Sequence, residues 1–283
     1  MKKILVPTDF STCAANAINF AVQSAKIMPV KIIIMHAFEH SGDLYTDFMG
    51  VNKEFNDSVL REAGQKLDLL RTSIAETEGV LVSTIICNAS LRKSILQVTV
   101  ENNIDMVIMG TLGASGMKEK LWGSNTADMI GKCPVPLLVI PFYYEWKKPS
   151  KLLLATNHFE TKSANTDFVF ELADLYMANV DAVVFTNEEK DDAVTFLQHS
   201  YKIPQYELAL KKLYKEETLA VKQVFGNDFE KSLQDYITGN EIDILVMIAY
   251  KHTFMERMFH PAMTKRMAYH TTIPLLAIPG KPE

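Results

Sequence analysis

Residues 104–141 return, without a gap, as residues 242–279 of the same chain. Eleven of these 38 positions are identical: Ile104, Asp105, Met109, Met117, Thr126, Met129, Pro136, Leu137, Leu138, Ile140 and Pro141 against their partners 138 residues on. Chance agreement between ordinary compositions would give about two or three. The opening segments repeat as well, KILVPTDF (3–10) lying over KLLLATNH (151–158) at an offset of 148. The second copy is therefore ten residues shorter somewhere between the two matching blocks. A duplicated chain of 283 residues holds two domains, each long enough to bury its own core. The charged, proline-containing stretch FYYEWKKPS (142–150) marks the boundary, which divides the chain into 1–146 and 147–283.

Each copy alternates apolar strands with amphipathic helices. KKILVPT, VKIIIMHA (30–37), LVSTIIC (81–87), DMVIMG (105–110) and VPLLVI (135–140) are solid apolar runs, as in strands buried on both faces. Between them Ala14, Ile18, Ala21, Val22 and Ala25 recur at helical spacing, as do Phe55, Val59, Leu60, Leu67 and Leu70 within 51–78. Ile95, Leu96 and Val98–Val100 give a short helix, and a further helix opens near Ser124. The second copy keeps the order: LLLAT, a helix near 163–177, DAVVFT, a helical stretch over 190–215, LAVKQVF, helices at 229–238 and 261–270 around DILVMI, and IPLLAI. This alternation predicts an α/β fold, two tandem open parallel five-stranded sheets with helices on both faces.

Charge and composition narrow the function classes. The net charge of −5 does not favour nucleic acid or anionic lipid. No apolar run reaches the roughly 18 residues of a membrane span, and Asp9 interrupts the opening apolar run before it resembles a signal peptide. Cys13, Cys87 and Cys133 form no C-x-x-C pair, which suits a reducing, cytoplasmic location and core-filling roles.

Ligands of open parallel sheets sit at the carboxyl ends of the strands. In the first copy these ends carry Pro7-Thr8-Asp9, His36-Ala37 and Met109-Gly110, and the last of these leads on to Gly113. Nine residues further on come Gly123, Ser124 and Asn125 at a helix start. Glycines let backbone N–H groups approach an anion, and a helix N-terminus supplies unpaired donors and a favourable dipole. Ser124 is placed to cap the helix or to meet a phosphate oxygen. Neither a G-x-x-x-x-G-K-[ST] loop nor a G-x-G-x-x-G run is present, so the chain is neither a P-loop NTPase nor a standard dinucleotide binder. Taken alone, such a glycine pair is as well explained by a turn.

The pattern G-x2-G-x9-G-[ST], met by Gly110, Gly113, Gly123 and Ser124, resembles the ATP-binding signature of the universal stress protein family. The block MGTLGASGMKEKLWGSNTADMIGKCPVPLLVIP resembles that family's C-terminal block, and ILVPTDFS its N-terminal block. The resemblance implies that Asp9 contacts the adenosine and that Ala37 lies against the adenine. It also implies that Gly110, Gly113, Gly123 and Ser124, with Asn125 beside them, hold ribose and phosphates. Pro7, Thr8 and Met109 flank these positions; Met109, with Met106, Met117 and Met129, also reads as core filling. The ligand so implied is ATP, with or without Mg²⁺. The resemblance also implies pairing through the last strands, here Leu137–Ile140 with Leu275–Ile278 within one chain, an internal pseudo-dimer that covers two sheet edges.

The second copy departs from this pattern. Pro7, Asp9, Gly110, Gly113, Gly123 and Ser124 become Ala155, Asn157, Ile248, Lys251, Pro261 and Ala262. Proline removes a backbone donor, and isoleucine and lysine add bulk where backbone should meet phosphate. The histidines gathered there, His158, His252, His260 and His270, have no i, i+4 spacing and no carboxylate cluster, so no metal site is expected. The reading is an ATP-binding stress-response or regulatory protein whose first domain takes the nucleotide. The second domain serves pairing or an unidentified protein partner, and a homodimer is an open state of assembly. Two alternatives stand beside it. One is a slow ATPase, although no acidic pair beyond Asp9 and no general base accompany the signature. The other is an interaction module that binds no nucleotide.

Overall fold

The computed structural model describes residues 2–39, 51–111, 124–250, 264–265, 267 and 271–280, with the side chains of 51–54 and 124 outside that description. The chain forms two compact units, Met1–Met129 with Cys133–Val135, and Ile130–Lys132 with Pro136–Glu283.

The first unit holds β1 (Lys2–Pro7), α1 (Thr12–Ala25), β2 (Val30–Phe38), α2 (Val51–Glu78), β3 (Val82–Asn88), α3 (Leu91–Glu101), β4 (Met106–Gly110) and α4 (Ser124–Met129). Its strands lie in the order β3-β2-β1-β4 and pair in parallel. Ile4, Leu5, Val6, Ile34, Met35, Val107 and Ile108 are all but inaccessible, as solid apolar runs between two helical layers require. Helix α1 begins where Ser11 Oγ accepts the Ala14 N–H at 3.2 Å, and it buries Cys13, Ala17, Phe20 and Ala21.

The second unit holds β5 (Leu137–Ile140), β6 (Lys151–Ala155), α5 (Ala164–Tyr176), β7 (Asn179–Asn187), α6 (Ala193–Tyr214), β8 (Val221–Gly226), α7 (Phe229–Gly239), β9 (Ile244–Ala249) and β10 (Leu275–Pro279). Its strand order is β5-β10-β9-β6-β7-β8. All of these pairs are parallel except β5 with β10, which runs antiparallel with Leu275 opposite Val139 and Ala277 opposite Leu137. The two closing strands thus pair as expected. Strand β5, supplied by the first sequence repeat, is completed within the second unit. The 261–270 helix expected from sequence lies largely outside the described residues.

The repeat's shared residues are largely scaffold. In the first unit the Lys3 N–H donates to Asp105 Oδ2 at 2.7 Å, and Lys3 Nζ donates to Asn102 O at 2.7 Å. In the second, the Lys151 N–H donates to Asp243 Oδ2 at 3.0 Å and Lys151 Nζ to Asn240 O at 3.0 Å. Each aspartate ties the starts of two neighbouring strands together, and a buried backbone donor there would otherwise go unpaired. The ten-residue difference is also located. Strand register still gives an offset of 148 at Met35 and Val183, whereas Val82 and Val221 open β3 and β8 at an offset of 139. Most of the difference therefore falls between these points, where α2 has 28 residues and α6 has 22.

Candidate functional site

The carboxyl edge of the first unit is built by the ends of β1, β2 and β4. Beyond Pro7, the Thr8 N–H donates to Met35 O at 2.8 Å and extends the ladder by one residue. The chain then turns sharply: Thr8 Oγ1 accepts the Phe10 N–H at 3.0 Å, and Phe10 takes a left-handed conformation at φ 62°. His36 Nδ1 lies 2.8 Å from Thr8 O. A carbonyl only accepts, so Nδ1 carries a proton and donates here. The His36 ring also lies 4.8 Å from that of Phe10, and Lys66 Nζ, ion-paired with Glu62, sits 5.5 Å from the Phe10 centroid.

These bonds hold Asp9 at the rim. Its Oδ1 accepts the Ser11 N–H at 3.0 Å, and the residue is exposed. Ala37, half-buried on β2, stands opposite: Pro7 pairs with Met35, so Ala37 is the β2 residue level with Asp9. The structure thus brings Asp9 and Ala37 together at one edge. Pro7, Thr8 and Met109 are buried beneath it, and Asn125 is exposed on α4. Gly113 and Gly123, and the side chain of Ser124, lie outside the described residues.

Gly110 has a packing role that the motif did not reveal. A Cβ there would lie 2.4 Å from the Cys13 carbonyl oxygen and 2.6 Å from Cys13 Sγ. The first turn of α1 is therefore pressed onto the end of β4, and only glycine fits between them. Thr126 adds a clamp from α4, its hydroxyl donating to Gly110 O at 2.7 Å, while Thr111 Oγ1 lies 3.8 Å from Cys13 Sγ.

The same edge of the second unit is filled. The Thr156 N–H donates to Val183 O at 3.0 Å, as Thr8 does to Met35. Asn157 differs from Asp9: its Nδ2 donates to Phe185 O at 3.0 Å, and its Oδ1 accepts the Phe185 N–H at 3.0 Å. Both ends of the amide are spent on backbone. Ala155 pairs with Val183, so Phe185 holds the register position of Ala37. Its ring is buried, edge-on to Phe229 at 5.2 Å. His158 stacks on Tyr250 with centroids 4.0 Å apart, and Gly280 lies tightly against Tyr250. The capping serine also moves: Ser11 follows Asp9 by two residues, whereas Ser163 follows Asn157 by six. Ile248, at the position of Gly110, is buried. Phe185 was not read from the sequence as part of this contrast, although the 148 offset places it opposite Ala37. Among the described residues no group of three or more His, Cys, Asp or Glu is gathered as a metal site, and no helix is long and apolar enough to cross a membrane.

Two tandem α/β units, their strand pairs parallel but for the antiparallel pair of closing strands, define the structural class. The crystal structure of a universal stress protein from Archaeoglobus fulgidus matches it over 98% of both chains with a TM-score of 0.70 at 14% identity, a likeness of fold. In sequence, universal stress protein MJ0577 of Methanocaldococcus jannaschii is 29% identical over 153 residues, 49% of this chain and 94% of that protein. Universal stress protein YxiE of Bacillus subtilis is 28% identical over 142 residues, 47% of this chain and 95% of that one. The profile of the universal stress protein family matches residues 1–141. The chain belongs to the universal stress protein family.

Proposed function

We infer that the first unit binds one adenine nucleotide, ATP with or without Mg²⁺, at the edge formed by β1, β2 and β4, and that the second unit binds none. Asp9 would hold the adenosine, Ala37 would lie against the base, and the Gly110–Asn125 segment would carry the ribose and phosphates. The observation that carries this reading is the contrast at one register position. Ala37 is a small, half-buried side chain level with an exposed carboxylate, whereas Phe185 sets a buried ring at that position beside an amide closed on the backbone. A second copy whose scaffold bonds persist while its edge is filled suits a domain retained for strand pairing or for a protein partner. Nucleotide occupancy of the first unit would then set the state that a cytoplasmic partner reads.

Titration calorimetry with ATP tests the assignment. Asp9→Ala removes charge-assisted hydrogen bonds worth roughly 1.5–3 kcal/mol, so affinity should fall by about 10- to 100-fold in a folded protein. Unchanged affinity in that variant would remove Asp9 from the site.

A further inference from the structure

Helix α6 carries apolar residues on two opposite sides. His199, Ile203, Tyr206 and Leu210 form the buried side, packed toward β7 and β8. Val194, Leu197, Tyr201, Pro204 and Leu208 recur at steps of three and four residues and are all exposed. At about 100° per residue, the second stripe is centred nearly opposite the first. Val194 is 59% exposed, Leu197 66%, Tyr201 70% and Leu208 70%. Scattered exposed apolar residues are ordinary. A continuous stripe of five is not, and it amounts to roughly 500 Å² of apolar surface, near the upper end of what monomers leave open.

The charges around this stripe are divided by end. Glu188, Glu189, Asp191 and Asp192 lead into the helix, diluted only by Lys190. Lys211, Lys212 and Lys215 close it, with Glu216 and Glu217 beyond the C-cap at Lys215. Tyr201 lies midway between the two groups.

We propose that this face is a homodimer interface, in which α6 of one copy lies antiparallel on α6 of a second about a two-fold axis near Tyr201. That register sets Val194 opposite Leu208 and Leu197 opposite the Pro204–Gln205 step. It brings Asp191 to the Lys211–Lys212 step and Glu188 to the Tyr214–Lys215 step across the interface at both ends, which is the self-complementarity that two-fold symmetry demands. A parallel pair would set like charges and like dipole ends together. The stripe supplies the apolar centre and the charged ends supply the rim of an interface approaching the ~800 Å² per partner of a stable complex. The proposal is independent of the nucleotide site.

Sedimentation velocity of the full chain over a dilution series tests it. We expect a reversible dimer. Leu197→Glu and Tyr201→Glu should each raise its dissociation constant by about 100-fold or more, since each buries a charge at the centre. Both positions are exposed, so circular dichroism and the thermal midpoint should be unchanged. Glu188→Lys and Lys215→Glu should each weaken the dimer, and the double reversal should recover it. A chain that stays monomeric throughout, leaving the face to a different protein, overturns the proposal. So does a dimer indifferent to both glutamate variants, and a double reversal that fails to recover overturns the antiparallel register.

Discussion

Ala37→Phe should convert the first unit's edge into a copy of the second. Phe185 occupies the equivalent position on β7, where its buried ring meets Phe229 at 5.2 Å. The residue equivalent to Phe229 in the first repeat is Leu91, at the start of α3, so a new ring at position 37 finds an apolar neighbour. Position 37 is also only half-buried, which limits overpacking to about 1–2 kcal/mol. Nucleotide binding should suffer far more. The ring takes the volume assigned to the base, whose face contacts alone are worth roughly 1–3 kcal/mol, and it excludes the base sterically as well. A loss of about 3 kcal/mol or more, at least 100-fold in affinity, is expected. Calorimetry reads the affinity, and thermal unfolding of the same sample shows that the unit is intact. A folded variant that binds ATP as the parent does would refute the placement of the base against β2.

Other consequences are independent of the ligand. Gly110→Ala forces a Cβ to within 2.4 Å of the Cys13 carbonyl oxygen. Backbone cannot yield as a side chain does, so thermal unfolding should show a loss of about 2–3 kcal/mol; a neutral change would contradict the pressed helix start. His199 sits below its ordinary pKa of 6.5, chiefly through burial, with Lys202 lowering it further and Asp191 opposing. Thr186 Oγ1 accepts from Gln223 Nε2 at 2.8 Å and lies 2.7 Å from His199 Nδ1, which holds the ring in its buried place. The folded state therefore favours neutral imidazole, while the unfolded state takes up the proton first as pH falls. This contribution is whole above about pH 6.5 and is lost as pH drops below it toward the depressed folded value. Urea midpoints at about pH 7 and pH 5 should differ less in His199→Gln than in the parent.

The sequence made the scaffold legible because strands buried on both faces leave unbroken apolar runs. KKILVPT and DILVMI needed no context, and the family resemblance of the closing blocks pointed to the pairing of Leu137–Ile140 with Leu275–Ile278 that the structure contains. The glycine signature was legible as a pattern, yet the reason for Gly110 was not. Its contact with Cys13 joins residues 97 positions apart, which no local spacing reports. The exchange of Ala37 for Phe185 lay outside the two blocks whose similarity exposes the repeat. The exposed stripe of α6 was hidden for a different reason: apolar residues on both sides of the helix blur its period, so 190–215 reads as helical without revealing which side is covered.

The central claim is that one unit holds nucleotide and the other is closed to it. Equilibrium dialysis of the full chain against labelled ATP counts the sites directly. The account predicts about one ATP per chain, lost on Ala37→Phe. Two equivalent sites per chain would contradict it, and so would one site that survives Ala37→Phe.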